Sequence, residues 1–238
     1  MRSYLVAAIA LLSTGIIFSS CSKNKDNGPQ PPAAGVLAFN LAPDQPGISV
    51  RLSGNAIHES PIMYGNYTGA YRAIYTGDRP VESFDYSSMK PLGAAVNFTF
   101  LDDKSYSVFV VGAANKYKNV VTLDDVDSTE YSSGSAYVRY INAIVDSTQT
   151  ADIAVKSGGN AVVNDNAAYT HVSDFKAIPA GDISITFKNG NLDLSRTINV
   201  QANKVYTILL MGLPGAGTDA AKPQIKFVEN GVLDSAGR

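Results

Sequence analysis

Apolar and polar residues alternate in two widely separated stretches. Val96, Phe98 and Phe100 alternate with Asn97 and Thr99, and Ile183, Ile185 and Phe187 alternate with Ser184 and Thr186. A period of two with one apolar face predicts half-buried strands. Residues 106–111 and 205–211 are nearly continuous apolar runs, which predicts strands covered on both faces. Asn189-Gly190 predicts a hairpin turn, because both residues accept positive φ. Asp102-Asp103-Lys104 and Ala202-Asn203-Lys204 read as equivalent turns. After Cys21 no long segment carries helical apolar spacing, and short strands between frequent turns predict a β-sandwich.

The pattern is written twice. Tyr71-Arg-Ala-Ile-Tyr-Thr-Gly77 matches Phe175-Lys-Ala-Ile-Pro-Ala-Gly181, and Tyr106-Ser-Val-Phe-Val-Val-Gly112 matches Tyr206-Thr-Ile-Leu-Leu-Met-Gly212. Val36-Leu-Ala-Phe-Asn40 before Asp44 matches Val138-Arg-Tyr-Ile-Asn142 before Asp146, and Ile48-Ser-Val50 is set against Ile153-Ala-Val155. The matches keep their order at offsets of 100 to 105 residues. That period is too long for a solenoid and fits a whole small domain. The expected architecture is all-β: two tandem immunoglobulin-like β-sandwich domains, over residues 35–131 and 135–238, divided near Ser132-Ser133-Gly134. Pro80 has no ladder donor, so the strand containing Val81 in the first repeat is expected to start after it.

The segment before the repeats is different in kind. Met1 and Arg2 precede an apolar run over residues 4–18, then Ser19, Ser20 and Cys21. A positive start, a short apolar stretch and small residues describe a secretory signal peptide over residues 1–20. A membrane-spanning helix needs about 20 apolar residues, more than this run supplies. Phe18-Ser-Ser-Cys21 resembles the bacterial lipoprotein box. That resemblance implies acylation of Cys21 and attachment to the lipid bilayer; Ser22 after it resembles lipoproteins sorted to the outer membrane of Gram-negative bacteria, with periplasmic and surface-facing orientations both open. Residues 21–34, polar and then proline-rich, read as a semi-extended spacer.

Composition narrows the chemistry. The chain of 238 residues is 45% hydrophobic and 17% charged, with 19 basic against 21 acidic residues. It can bury a core, and it lacks the cationic excess that a nucleic-acid partner demands. One cysteine excludes a disulfide framework, and one cysteine with two histidines leaves no Cys/His zinc set. No cofactor is expected. There is no G-x-S-x-G and no H-E-x-x-H; His58-Glu59 lacks the second histidine. Gly212-Leu-Pro-Gly-Ala-Gly217 lacks the Lys-Ser/Thr of a phosphate loop and reads as a connection between strands. Asp124, Asp125 and Asp127, and likewise Asn164, Asp165 and Asn166, read as solvated turns rather than calcium ligands.

The candidate recognition segment is aromatic. Tyr64, Tyr67, Tyr71 and Tyr75 stand among glycines, a composition suited to recognition loops. Tyr71 is set against Phe175 and Tyr67 against His171, which reads as framework. Tyr64 and Tyr75 have no aromatic counterpart and are the candidate ligand-binding residues. Tyr106 and Tyr206 recur at one strand start and predict tyrosine corners, each hydroxyl pinning backbone upstream.

Val138-Arg-Tyr-Ile-Asn142, Asp152-Ile-Ala-Val155, Ile178-Pro-Ala-Gly181, Lys204-Val-Tyr206 and Gly212 resemble the bacterial domain of unknown function 4397. The resemblance covers the second repeat well and implies tandem sandwiches on a lipid anchor, and no reaction. The expected function is a membrane-anchored, non-catalytic envelope module for binding or adhesion, with a protein or glycan ligand. The alternatives are carbohydrate binding through tyrosines of residues 63–75 and a structural envelope spacer.

Overall fold

Seventeen strands and no helix make up the described residues of the computed structural model, which are 31–125, 134–146 and 148–232. The signal segment, Cys21 and most of the spacer lie outside them. Apart from Pro31, the described residues belong to the unit Pro32–Arg238.

The first repeat contains β1 (Ala33–Leu41), β2 (Gly47–Leu52), β3 (Asn55–Ala56), β4 (Ile62–Met63), β5 (Arg72–Tyr75), β6 (Gly77–Asp85), β7 (Val96–Phe100), β8 (Ser105–Val111) and β9 (Lys118–Leu123). The second contains β10 (Ser135–Ile144), β11 (Ala151–Ser157), β12 (Asn160–Ala167), β13 (Lys176–Pro179), β14 (Gly181–Asn189), β15 (Leu192–Val200), β16 (Lys204–Gly212) and β17 (Gln224–Val232). Each repeat is an all-β sandwich of two sheets. In the first the orders are β5-β1-β8-β9 and β3-β2-β6-β7, with β4 also on β2. In the second they are β13-β10-β16-β17 and β12-β11-β14-β15, the same arrangement with β12 alone where the first repeat has β3 and β4. The opening strand pairs in parallel with the penultimate one in both repeats, β1 with β8 and β10 with β16. Every other pairing between strands is antiparallel.

The continuous apolar strands are buried twice over. Val36 and Ala38 of β1, with Val108 and Val110 of β8, face their own sandwich core. Leu37, Phe39, Leu41, Phe109 and Val111 face the other way, into a cluster with Ile141, Ala143, Leu209 and Met211 of β10 and β16. The sheets β5-β1-β8-β9 and β13-β10-β16-β17 therefore pack face to face, and alternate side chains of one strand serve two cores. Residues 205–211 read as covered on both faces for this reason.

Both tyrosine corners are present. Leu101 N–H donates to Tyr106 Oη at 2.9 Å, and Gln201 N–H donates to Tyr206 Oη at 3.1 Å. Each phenol reaches back five residues across a turn whose apex, Asp103 or Asn203, has positive φ. Tyr206→Phe is expected to cost about 1 kcal/mol, the worth of one net hydrogen bond. An unchanged Tm would refute the pin.

Four expectations need correction. β6 starts at Gly77 and runs through Pro80 rather than after it. Pro80 pairs with Asn97 on one side, and on the other its carbonyl accepts from Ser53 N–H, just past the end of β2. Its missing donor faces a turn, where no ladder bond is forfeited. The match of Ile48 to Ile153 slips by two residues: Val50 pairs with Ser83 and Ile153 with Phe187, so Val50 is the counterpart of Ile153 and Ile48 of Ala151. A two-residue slip keeps every side chain on its face, so periodicity alone does not detect it. Tyr67 corresponds to Val172, not His171, because Tyr67 bridges Phe39 as Val172 bridges Ile141. The hairpin after β14 is closed by Gly190-Asn191 rather than Asn189-Gly190, because Asn189 still pairs with Leu192; Gly190 has positive φ.

Candidate functional site

Two polar places stand out in this scaffold. One is in the seam between the sandwiches. Arg139 lies on the seam face of β10, at the end of the apolar cluster, and is 1% exposed. A charge buried to this degree requires partners. Its Nη1 meets Asp124 Oδ1 at 2.7 Å, its Nη2 donates to Ser107 Oγ at 2.7 Å and its Nε donates to Thr207 Oγ1 at 3.1 Å. The guanidinium also lies over the Phe175 ring, 4.3 Å from its centroid. Tyr71 Oη and Ser107 Oγ both donate to Asp124 Oδ2 at 2.7 Å. Burial, and then the charge of Asp124, raise the Tyr71 phenol above its ordinary range, so it stays a donor. Thr207 Oγ1 donates to Asn230 Oδ1 at 2.8 Å, repeating in the second sandwich the Ser107–Asp124 bond of the first. Apart from the Asn230 amide, the donors of the node are used within it. It works as a clamp between sandwiches.

The other place is at the loop end of the sandwiches, where the two repeats differ. In the first repeat Asp44 follows β1, and its Oδ2 accepts from Ala114 N–H at 2.7 Å and from Tyr117 Oη at 2.9 Å. Gln45 Nε2 donates to the same phenol oxygen at 2.6 Å. The Tyr117 ring packs on the sandwich core and fills this end. Burial, and then the bond to Asp44, raise its pKa. Asp85, at the end of β6, accepts from the backbone N–H and the hydroxyl of both Ser87 and Ser88. The first repeat thus uses its own loop-end acceptors.

In the second repeat the donors are gone. Gly112 and Gly212 are equivalent, each at positive φ and each too close to the returning chain for a Cβ. Counting forward from them, Pro214 takes the place of Ala114. Counting back from β9 and β17, Pro223 takes the place of Tyr117. Proline has no N–H and no hydroxyl. Asp146, the counterpart of Asp44, uses Oδ1 for Thr148, whose hydroxyl and then its N–H hold the carboxyl below its usual range. Among the described residues no donor reaches its Oδ2. Asn189, the counterpart of Asp85, is 9% exposed and its Oδ1 accepts no hydrogen bond. The connection from glycine to strand is five residues in the first repeat, 113–117, and eleven in the second, 213–223. What remains is a cleft of about 610 Å³. Asp146, Gln149, Asn189 and Asn191 line it, opposite Pro214 and Gly215 of the glycine-rich connection.

The Asp85 contacts carry a pH prediction. The Ser88 N–H first, then the Ser87 and Ser88 hydroxyls, lower its pKa to about 2. The folded value lies below the unfolded one. The stabilisation is therefore complete above the ordinary aspartate range and is lost as pH falls through about 2. A carboxyl-carbon NMR titration is expected to show that midpoint, moving upward in Ser87→Ala and Ser88→Ala; a midpoint near 4 in the native chain would refute it.

The aromatic segment is divided. Tyr64 packs half-buried against the seam cluster, and burial raises its phenol to about 12. Tyr75 is 66% exposed on edge strand β5 and lines a separate shallow cleft with Leu52, Ile57 and Arg79. Tyr67 stacks on Phe39 and donates to Glu229 O of the second sandwich at 3.1 Å. Cys21 lies outside the described residues. Two of the turn readings need correction: Asp124 is buried on Arg139, although Asp125 beside it is exposed outside any strand, and Asn164, Asp165 and Asn166 lie in β12, where Asp165 accepts from Tyr140 Oη at 2.8 Å. Asp127 lies outside the described residues. Among the described residues no group of three or more His, Cys, Asp or Glu is placed to hold a metal ion. No described helix is long and apolar enough to cross a membrane.

Sequence reading missed Arg139 and the cleft. A lone arginine inside the apolar run 136–144 was the signal for the first. For the second it was the pair of prolines at the positions of Ala114 and Tyr117.

Fold and site together define a tandem β-sandwich protein whose repeats share one topology and differ at one loop end. The family model described as "Domain of unknown function (DUF4397)" matches residues 34–149 and 136–234, and the chain belongs to that family. No curated protein matches the sequence.

Proposed function

We propose that this chain is a lipid-anchored envelope protein that acts as a non-catalytic binding module. The observation that carries the binding role is the difference between repeats. The first closes its loop end with Tyr117, while the second leaves open a cleft with unused acceptors on Asp146 and Asn189. Loop ends of rigid sandwiches are natural recognition sites, and a volume of roughly 300–1,000 Å³ is usual for small-molecule sites. The anchor rests on the sequence alone, through Phe18-Ser-Ser-Cys21 and the spacer behind it.

Two measurements test this reading. Cys21→Ala is expected to move the protein from the membrane pellet to the soluble fraction; retention in the pellet overturns the anchor. The intact protein titrated against isolated envelope fragments is expected to bind saturably. Absence of saturable binding overturns the binding module and favours the spacer. Carbohydrate binding through Tyr64 and Tyr75 together has less support, because the two tyrosines belong to different parts of the surface.

A further inference from the structure

We propose that the loop-end cleft of the second sandwich takes a neutral sugar ring. This deepens the binding-module reading and rests on it. The first repeat supplies the template. There a flat ring fills the equivalent position, its hydroxyl donating to Asp44 and accepting from Gln45. In the second repeat a ring from outside meets the same chemistry. Asp146 Oδ2 is the acceptor in the place of Asp44 Oδ2, and Gln149 of the same interstrand connection is the amide.

The lining selects the class of ligand. Asn189 Oδ1 is a buried acceptor with no donor, and leaving it so is costly. Together with Asp146 it calls for a ligand carrying more than one hydroxyl donor. Gln149 and Asn191 each offer an amide donor and an amide acceptor, which suits hydroxyls that do both. Leu192, Pro214 and Pro223 present carbon–hydrogen surface, which suits the apolar face of a sugar ring. The Asp146 carboxylate repels an anionic ligand. Lys222, also on the rim, is already paired with Asp219 at 2.7 Å and does not offset that repulsion. A neutral polyhydroxyl ring satisfies all of these groups. A single phenol supplies one hydroxyl and leaves Asn189 unpaired.

The test uses the intact protein in a sugar-free detergent and saturation-transfer NMR. The probes are glucose, galactose, mannose and N-acetylglucosamine, with N-acetyltyrosinamide beside them. At least one sugar is expected to give a saturable signal. Gln149→Ala and Asn191→Ala, at exposed positions, are expected to weaken it about tenfold, the scale of one lost hydrogen bond. Pro223→Tyr restores the ring of the first repeat and is expected to abolish the signal. Three results overturn the proposal: no sugar signal, a signal from N-acetyltyrosinamide in place of the sugars, or a sugar signal unchanged by Gln149→Ala and Asn191→Ala. The two exposed-site variants keep the test decisive if Pro223→Tyr fails to fold. Saturable binding to envelope fragments without any sugar signal sinks this proposal and leaves the binding module standing. Absence of both sinks both.

Discussion

Arg139→Ala is expected to destabilise the protein by about 3–5 kcal/mol, because it leaves the Asp124 carboxylate buried without its cation. The Asp124 side chain is 2% exposed and the arginine 1%, so water does not replace the lost partner. Ser107 and Thr207 lose their contacts to the guanidinium in the same step. Arg139→Met with Asp124→Leu is expected to recover more than half of the loss. Removing both charges ends the desolvation penalty, and what remains are the orphaned hydroxyls of Tyr71 and Ser107, at about 1 kcal/mol each. Urea titration of the three proteins checks this. A loss under 1 kcal/mol for Arg139→Ala would show that the pair is not buried as described.

The node also shows where sequence reading stops. Strand period, the repeat and both tyrosine corners were legible, because each is a local pattern that recurs. The runs 106–111 and 205–211 announced burial on both faces, but a one-dimensional pattern does not say what does the covering. Here it is the other repeat, and Arg139 is tolerated because Asp124 reaches it from that repeat. Read locally, Asp124 sits among acidic and polar residues and looks like a turn. Asn164–Asn166 misled in the same way: their residue types favour turns, yet they lie in an edge strand, where Asn164 and Asn166 face solvent, Asn166 bonded to Asp152, and Asp165 turns inward to Tyr140. The cleft was hidden for another reason. It is made by what the second repeat lacks, an N–H at residue 214 and a phenol at residue 223. It becomes visible only once the fold fixes which residues of the two repeats correspond.

Phe39→Ala should have an effect as large, spread over the whole unit. Phe39 is fully buried on the seam face of β1, with ring centroids 4.6 Å from Phe109 and 5.3 Å from Tyr67. Truncating such a side chain costs about 3–5 kcal/mol, with the spread set by how far the site collapses. Collapse is opposed here because the neighbours sit on four paired strands held from both sides. At roughly 2–4 °C per kcal/mol for a chain of this size, Tm is expected to fall on the order of 10 °C. The seam cluster is separate from the two inner cores, so the variant keeps those cores while losing what couples them. Calorimetry is expected to show one cooperative transition in the native chain and a broadened or split one in Phe39→Ala. A variant that melts as sharply as the parent at an unchanged temperature would mean that the sandwiches do not unfold as one body. The clamp at Arg139 would then act within a seam that has little to hold.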